Sequence, residues 1–169
     1  MDAKQYATWS RPFRTHPRAR QALVIVNDGL KYLCYVLYPV LLVLVALHEP
    51  SLLLRELLVP AVLFIVLSAF RRLYDAPRPY EALDIDPLIC KSTRGKSFPS
   101  RHIFSVFMIA MCWLVYSTPV GIALLACGLV MAAIRVVGGV HYPRDVVVGA
   151  LIAIIGGVVG FWMLPMTWF

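Results

Sequence analysis

A chain of 169 residues that is 60% hydrophobic and only 15% charged, with a mean hydropathy of +0.77, departs from a soluble domain. Soluble domains run at about 45–50% apolar and about 25% charged residues. The net charge of +7 points to nucleic acid or anionic lipid. The basic residues fall in short segments between apolar runs, which excludes nucleic acid and makes the lipid bilayer the expected partner.

Residues 1–29 read as a basic interfacial segment. Arg11, Arg14, Arg18 and Arg20 stand with Trp9 and Phe13, and residues 22–26 add one apolar turn before Asn27-Asp28-Gly29 breaks it. No cleavable signal sequence is visible there. Residues 30–169 read as a transmembrane domain. Its apolar runs at 30–47, 51–70, 103–116, 120–137 and 146–164 approach the roughly 20 residues a membrane helix needs. His48-Glu49-Pro50 makes a tight hairpin with Ser51 as N-cap, and Thr118-Pro119 makes another. Pro39 and Pro60 fall inside helices, where neighbouring helices can satisfy the freed carbonyls. Gly149, Gly156, Gly157 and Gly160 give the last helix small packing faces. Cys34, Cys90, Cys112 and Cys127 form no C-x-x-C pair, so neither a disulfide framework nor a zinc site is implied. The expected fold is all-α: a polytopic membrane helix bundle of about five transmembrane helices plus the basic interfacial N-terminal segment.

Threading five spans puts every long polar segment on one face. The hairpins at Glu49 and Thr118 fall on the far side. The N-terminus, the 71–98 connection with the Pro99 helix start, and the 138–145 connection share the near side. Arg71, Arg78 and Arg135 lie there at the membrane-proximal ends of different elements. An ionised side chain so close to hydrocarbon is costly and is usually functional or paired. Three converging guanidiniums make a phosphate clamp, because each offers planar bidentate donors. Pro99-Ser100 adds free N–H groups of a helix start and a hydroxyl.

His141 and Asp145 are four residues apart and share a face if a helix begins near Pro143. A carboxylate on one ring nitrogen fixes the tautomer and leaves the other free for attack. His102 is then free to protonate the leaving alkoxide and later to activate water. His102, His141, Asp145 and Asp75 also have metal-ligand chemistry, but several fixed positive charges nearby oppose a divalent cation. The arginines supply the charge neutralisation that magnesium gives in many phosphoryl transfers. Neither metal nor other cofactor is expected.

Arg71-x6-Arg78-Pro79, Pro99-Ser100-Arg101-His102 and Arg135-x5-His141-x3-Asp145 resemble the phosphatidic acid phosphatase type 2 superfamily, which also includes vanadium haloperoxidases and bacterial acid phosphatases. That family's pattern is K-x6-R-P, P-S-G-H and S-R-x5-H-x3-D. The resemblance implies phosphate binding by Arg71, Arg78, Ser100 and Arg135, with His102 as general acid, His141 as nucleophile and Asp145 as its partner. It also implies an all-helical bundle without a metal requirement. Arg71 stands in place of the family lysine and keeps the charge. Arg101 stands in place of a glycine, where it either adds a substrate contact or narrows the pocket. Ile134 takes the place of a serine and removes a hydroxyl. The spans are fewer than the six common in membrane members.

The expected function is removal of phosphate from a membrane lipid monophosphate or diphosphate through a phosphohistidine. Phosphatidic acid, phosphatidylglycerol phosphate and polyprenyl diphosphate are the candidates. The alternative is a phospholipid-binding or transport protein that keeps the pocket without turnover, against which the intact His102, His141 and Asp145 count. A haloperoxidase would need bound vanadate and does not suit a membrane chain. Lys4, Arg11, Arg14, Arg18 and Arg20 lie outside the motifs, so the positive-inside rule places the N-terminus, and with it the active site, on the cytoplasmic face.

Overall fold

The computed structural model describes residues 1–165; the last four residues of the expected transmembrane domain, 166–169, lie outside the described residues. Its helices are α1 (Ala3–Thr15), α2 (Pro17–His48), α3 (Pro50–Tyr74), α4 (Pro79–Ala82), α5 (Arg101–Tyr116), α6 (Thr118–Val137) and α7 (Pro143–Val158). A π-helical turn, Val159–Met163, extends α7. Five of them, α2, α3, α4, α6 and α7, carry proline in the first two positions, where its missing N–H is no loss and its fixed φ is already helical. Pro39 and Pro60 lie inside α2 and α3, which continue through them.

Two local expectations are corrected. The break at Asn27-Asp28-Gly29 does not occur, because α2 runs unbroken from Pro17 to His48. The side chains that would favour a turn are engaged elsewhere. Asp28 pairs with Lys31 at 3.0 Å one helical turn on, and the buried Asn27 accepts from Arg135. The N-cap of α3 is Glu49 with Pro50 following, not Ser51, so Ser51 lies in the first helical turn.

Among the described residues four helical segments are long and apolar enough to cross a membrane: Pro17–His48, Pro50–Ala82, Thr118–Val137 and Pro143–Met163. The shorter α5 passes through the middle of them. Ile103, Phe104, Val106, Phe107, Met108, Ala110, Met111, Cys112 and Trp113 are all buried, so α5 is the hub against which the others pack. Apolar side chains on the outer helices, such as Val36, Val43, Ile65, Leu129 and Ile155, are instead exposed, as a lipid-facing belt requires. The protein is a multi-pass helical membrane protein.

At 1.5 Å per residue α5 is about 24 Å long against about 30 Å of hydrocarbon, whereas α2 reaches about 48 Å. Ser100, at the N-terminus of α5, is fully buried. Tyr116 at the other end of α5 meets His48 at the end of α2, Oη to Nδ1 3.2 Å, so both short turns share one end of the bundle. The long connections gather at the opposite end, as the threading anticipated.

Close approach of α5 and α7 fixes that end. At Gly149 an added Cβ would sit 2.7 Å from the Ser100 carbonyl oxygen, so only glycine allows the two backbones to touch there. The Ser100 N–H donates to the Asp145 carbonyl at 2.8 Å, tying the start of α5 to the start of α7.

Candidate active site

His141 ends the connection between α6 and α7, and Asp145 lies in the first turn of α7. Pro143 starts that helix, so the four-residue spacing brings both side chains to one place. The contact between His141 Nδ1 and Asp145 Oδ2 is 3.4 Å. Asp145 Oδ2 also accepts from Ser97 Oγ at 2.5 Å and from the Tyr142 N–H at 3.0 Å. Ser97 Oγ is itself 3.4 Å from His141 Nδ1. A carboxylate so held turns the Nδ1 side of the ring toward itself and leaves Nε2 directed away. His141 and Asp145 are 1% and 0% exposed, so both are shielded from competing water. Burial holds the imidazole well below its usual range. Arg135 and Arg78 push the same way, and Asp145 opposes them. The ring is therefore neutral, as a nucleophile must be.

Three arginines surround this pair from different elements, and all three are buried. Arg71, at the end of α3, donates from Nη1 to the Ser97 carbonyl at 3.1 Å and to the Pro99 carbonyl, and from Nη2 to the Lys96 carbonyl. Arg78 donates from Nε to the Gly95 carbonyl at 3.0 Å and from Nη1 to the Val140 carbonyl at 3.2 Å. Arg135, near the end of α6, donates from Nη1 to Asn27 Oδ1 at 3.3 Å, while its buried Nε and Nη2 have no hydrogen-bond partner among the described residues. Each such unsatisfied donor costs about 1–3 kcal/mol, more when charged. No carboxylate forms an ion pair with any of the three among the described residues. Ser100 is fully buried, and its Oγ has no partner among the described residues either, although its backbone occupies the N-cap of α5. Buried donors left open on two elements, Arg135 on α6 and Ser100 at the start of α5, describe a place for an anion.

His102 is half-buried in the first turn of α5 and lines a cavity of 510 Å³ together with Arg71, Arg78 and Arg101. Arg101 is exposed at its mouth, with Cζ 5.5 Å from the centre of the Phe64 ring. Arg101 and His102 also border a second cavity of 220 Å³, lined further by Lys31, Cys34, Tyr35, Phe64 and Ile109. Cys34, Tyr35, Phe64 and Ile109 recur in the lining of an apolar groove of 540 Å³ between α2 and α3 over α5. The 220 Å³ cavity thus shares lining residues with both the charged cavity and the apolar groove. Among the described residues no three His, Cys, Asp or Glu side chains gather in a possible metal site.

The structure therefore brings all eight sequence-selected residues, Arg71, Arg78, Ser100, Arg101, His102, Arg135, His141 and Asp145, to one end of the bundle. A family model described as the PAP2 superfamily matches residues 52–169, which include all of them. The chain belongs to the PAP2 superfamily. Undecaprenyl-diphosphatase BcrC of Bacillus subtilis (strain 168) is 34% identical to it over 88 residues, covering 52% of this chain and 45% of that protein. Bacitracin transport permease protein BcrC of Bacillus licheniformis is 33% identical over 69 residues, covering 41% and 34%. The matched region is less than half the length of each curated relative. The crystal structure of Aquifex aeolicus LpxE superposes with a TM-score of 0.73 at 24% identity, over 94% of this chain and 93% of that one, a likeness of fold.

Four residues around these PAP2 motifs escaped the sequence reading. Ser97, a helper of Asp145, precedes the P-S-R-H motif and has no signature of its own. Asn27 looks like a helix breaker, and only its contact with Arg135 reveals its role. Lys91 lines the cavity from the 83–100 connection. Tyr6, on α1, is 2% exposed; its hydroxyl donates to the Asp86 carbonyl at 3.1 Å and accepts from the Leu88 N–H at 3.2 Å. Arg14 pairs with Asp86 at 2.9 Å, and Tyr6 fills the space beside Gly139, whose φ is +77° and where an added Cβ would come within 2.9 Å of the Tyr6 hydroxyl. The N-terminal helix therefore braces the two connections that carry the site.

Proposed function

We propose that this chain is a metal-independent lipid phosphate phosphatase that works through a phosphohistidine on His141. The observation that carries the reading is the buried guanidinium of Arg135, with two open donor atoms, beside a neutral, carboxylate-held His141. A phosphate seated there would satisfy Arg135 and Ser100 and share the positive field of Arg71 and Arg78. His141 Nε2 attacks phosphorus, and the arginines stabilise the charge on the equatorial oxygens of the transition state. His102 donates a proton to the leaving oxygen, then takes one from the water that hydrolyses the phosphohistidine. Ser97 and Asp145 steady the imidazolium that forms. The apolar groove supports a lipid substrate, because its chain can stay in the bilayer region while the head group reaches the arginines.

The substrate class comprises lipid phosphomonoesters and diphosphates, of which phosphatidic acid, phosphatidylglycerol phosphate and polyprenyl diphosphate are examples. Phosphate release from such lipids by the purified chain in detergent tests the reading. Wild type should turn over and His141→Ala should not. Equal, slow release by both would leave only a binding or transport role. By the positive-inside rule the N-terminal basic residues put the site on the cytoplasmic face. A single cysteine at Glu81, in an otherwise cysteine-free chain, should resist an impermeant thiol reagent in intact cells. Labelling there would put the site outside.

A further inference from the structure

Lys91, like Arg101, is a charged residue of the site that the phosphatase chemistry above leaves without a task. It is half-buried and lines the 510 Å³ cavity that holds Arg71, Arg78, Arg101 and His102. Seven lysine and arginine side chains line that cavity, and no aspartate or glutamate does. Glu81 borders an adjoining cavity with Lys91 and Arg94. Both of its oxygens are already engaged: Oε2 accepts from the Arg78 N–H at 2.8 Å, and both accept from the Gly95 N–H, at 3.1 and 2.9 Å.

The charge exceeds what one phosphate requires. A phosphoryl group carries about −1.5 to −2 at neutral pH. Arg71, Arg78 and Arg135 already supply three positive charges around the proposed phosphate position. Lys91 and Arg101 lie outside that trio and line one cavity with Arg71, Arg78 and His102, the group that faces the leaving oxygen. We propose that Lys91 and Arg101 form a second anion subsite that holds the leaving phosphate of a lipid diphosphate. This inference rests on the phosphatase reading and names the substrate of that same site.

In the step this implies, His141 Nε2 bonds to the terminal phosphorus, and the bond from that phosphorus to the bridging oxygen breaks. The electron pair stays on the bridging oxygen, which becomes a terminal oxygen of a lipid monophosphate. The added negative charge develops against Lys91 and Arg101. Water then cleaves the P–N bond, giving inorganic phosphate and free His141, with the proton passing through His102. An alkoxide from a monophosphate lipid would present no second phosphate to these cations. Burial, together with Arg135, Arg78, Arg71 and Arg101, pushes the Lys91 ammonium down to about 7, which is the condition of a cation that lacks its counter-ion.

The test uses the full chain in detergent with a diphosphate and a monophosphate on the same lipid chain, in wild type, Lys91→Met, Lys91→Gln and Lys91→Arg. Wild type should prefer the diphosphate. Lys91→Met and Lys91→Gln should lower kcat/KM for the diphosphate at least tenfold more than for the monophosphate, and Lys91→Arg should restore most of the preference. Inorganic pyrophosphate should inhibit wild type at least tenfold more strongly than orthophosphate, and Lys91→Met should remove that difference. If all variants lose activity on both lipids in equal proportion, or both inorganic anions inhibit alike, the second subsite is wrong and the phosphatase reading stands. If wild type and His141→Ala release phosphate equally slowly, the phosphatase reading itself is lost.

Discussion

Replacing Gly149 by alanine places a methyl 2.7 Å from the Ser100 carbonyl oxygen, where ordinary contact begins at 3.4 Å. The obstacle is backbone, so α5 and α7 must separate by about 0.7 Å to accept it, a distance at which catalytic alignment is sensitive: about 1 Å of misplacement can cost about 100-fold. The two helices carry opposite halves of the site, with Ser100 and His102 on α5 and Asp145 at the start of α7. The expected loss in kcat is therefore about 10- to 50-fold. Gly156→Ala is the matched control on the same helix. Its methyl meets the end of the Leu63 side chain at 2.5 Å, which can swing away. Both changes raise helix propensity by about 1 kcal/mol, so a simple loss of helix is not expected from either. Phosphate release in detergent, with melting temperature recorded alongside, separates the outcomes. A folded Gly149→Ala protein within threefold of wild type would refute the idea that this backbone contact sets the site's spacing.

Other consequences follow from individual contacts. Tyr6→Phe removes the acceptor for the Leu88 N–H and the donor to Asp86, a loss of about 1–3 kcal/mol for the group left unpaired. Limited proteolysis within residues 83–96 should quicken severalfold, and an unchanged rate would deny α1 its bracing role. Asn27→Leu takes away the hydrogen bond that the Arg135 guanidinium makes among the described residues; kcat/KM should fall about tenfold, one hydrogen bond to a charged group being worth about 1.5–3 kcal/mol. An unaltered value would show that Asn27 does not orient the guanidinium. His141 is held down to about 3 in the fold, against 6.5 for a free imidazole. The unfolded chain then takes up a proton that the folded one refuses, so stability is full above pH 6.5 and is lost as pH falls toward 3. The apparent melting temperature should drop across that window, and His141→Gln should flatten the drop; equal slopes would contradict it. Lys91 gives an opposite limb, because its charge disappears as pH rises through about 7. The kcat/KM for a lipid diphosphate should decline there, and in Lys91→Arg that decline should move to higher pH.

The parts of the fold that are legible in sequence are those fixed by local chemistry. Proline starts for α3, α6 and α7, the apolar runs and the four-residue step from His141 to Asp145 all carry information within one or two turns. Threading alone then delivers Arg71, Ser100 and Arg135 to one end of the bundle. What the sequence hides is tertiary. Asn27-Asp28-Gly29 has the composition of a break, yet Asn27 is drawn inward by Arg135, more than one hundred positions away in sequence. Ser97 looks like any loop serine until Asp145 meets it at 2.5 Å. Tyr6 lies on a helix that reads as interfacial, and its burial depends on a connection eighty residues later. The short α5 is readable as an apolar run, but its place at the centre emerges only when the longer helices surround it.

Trapping the covalent intermediate tests the central claim most directly. A lipid diphosphate labelled at its terminal phosphate, mixed with an excess of the full chain and quenched in alkali, should leave label on a single histidine that mass spectrometry places at His141. In His102→Gln the label should accumulate, because the leaving lipid phosphate needs little help while the water that clears the phosphohistidine loses its base. Active wild-type protein that never carries label on His141, or label that survives in His141→Ala, would contradict the account.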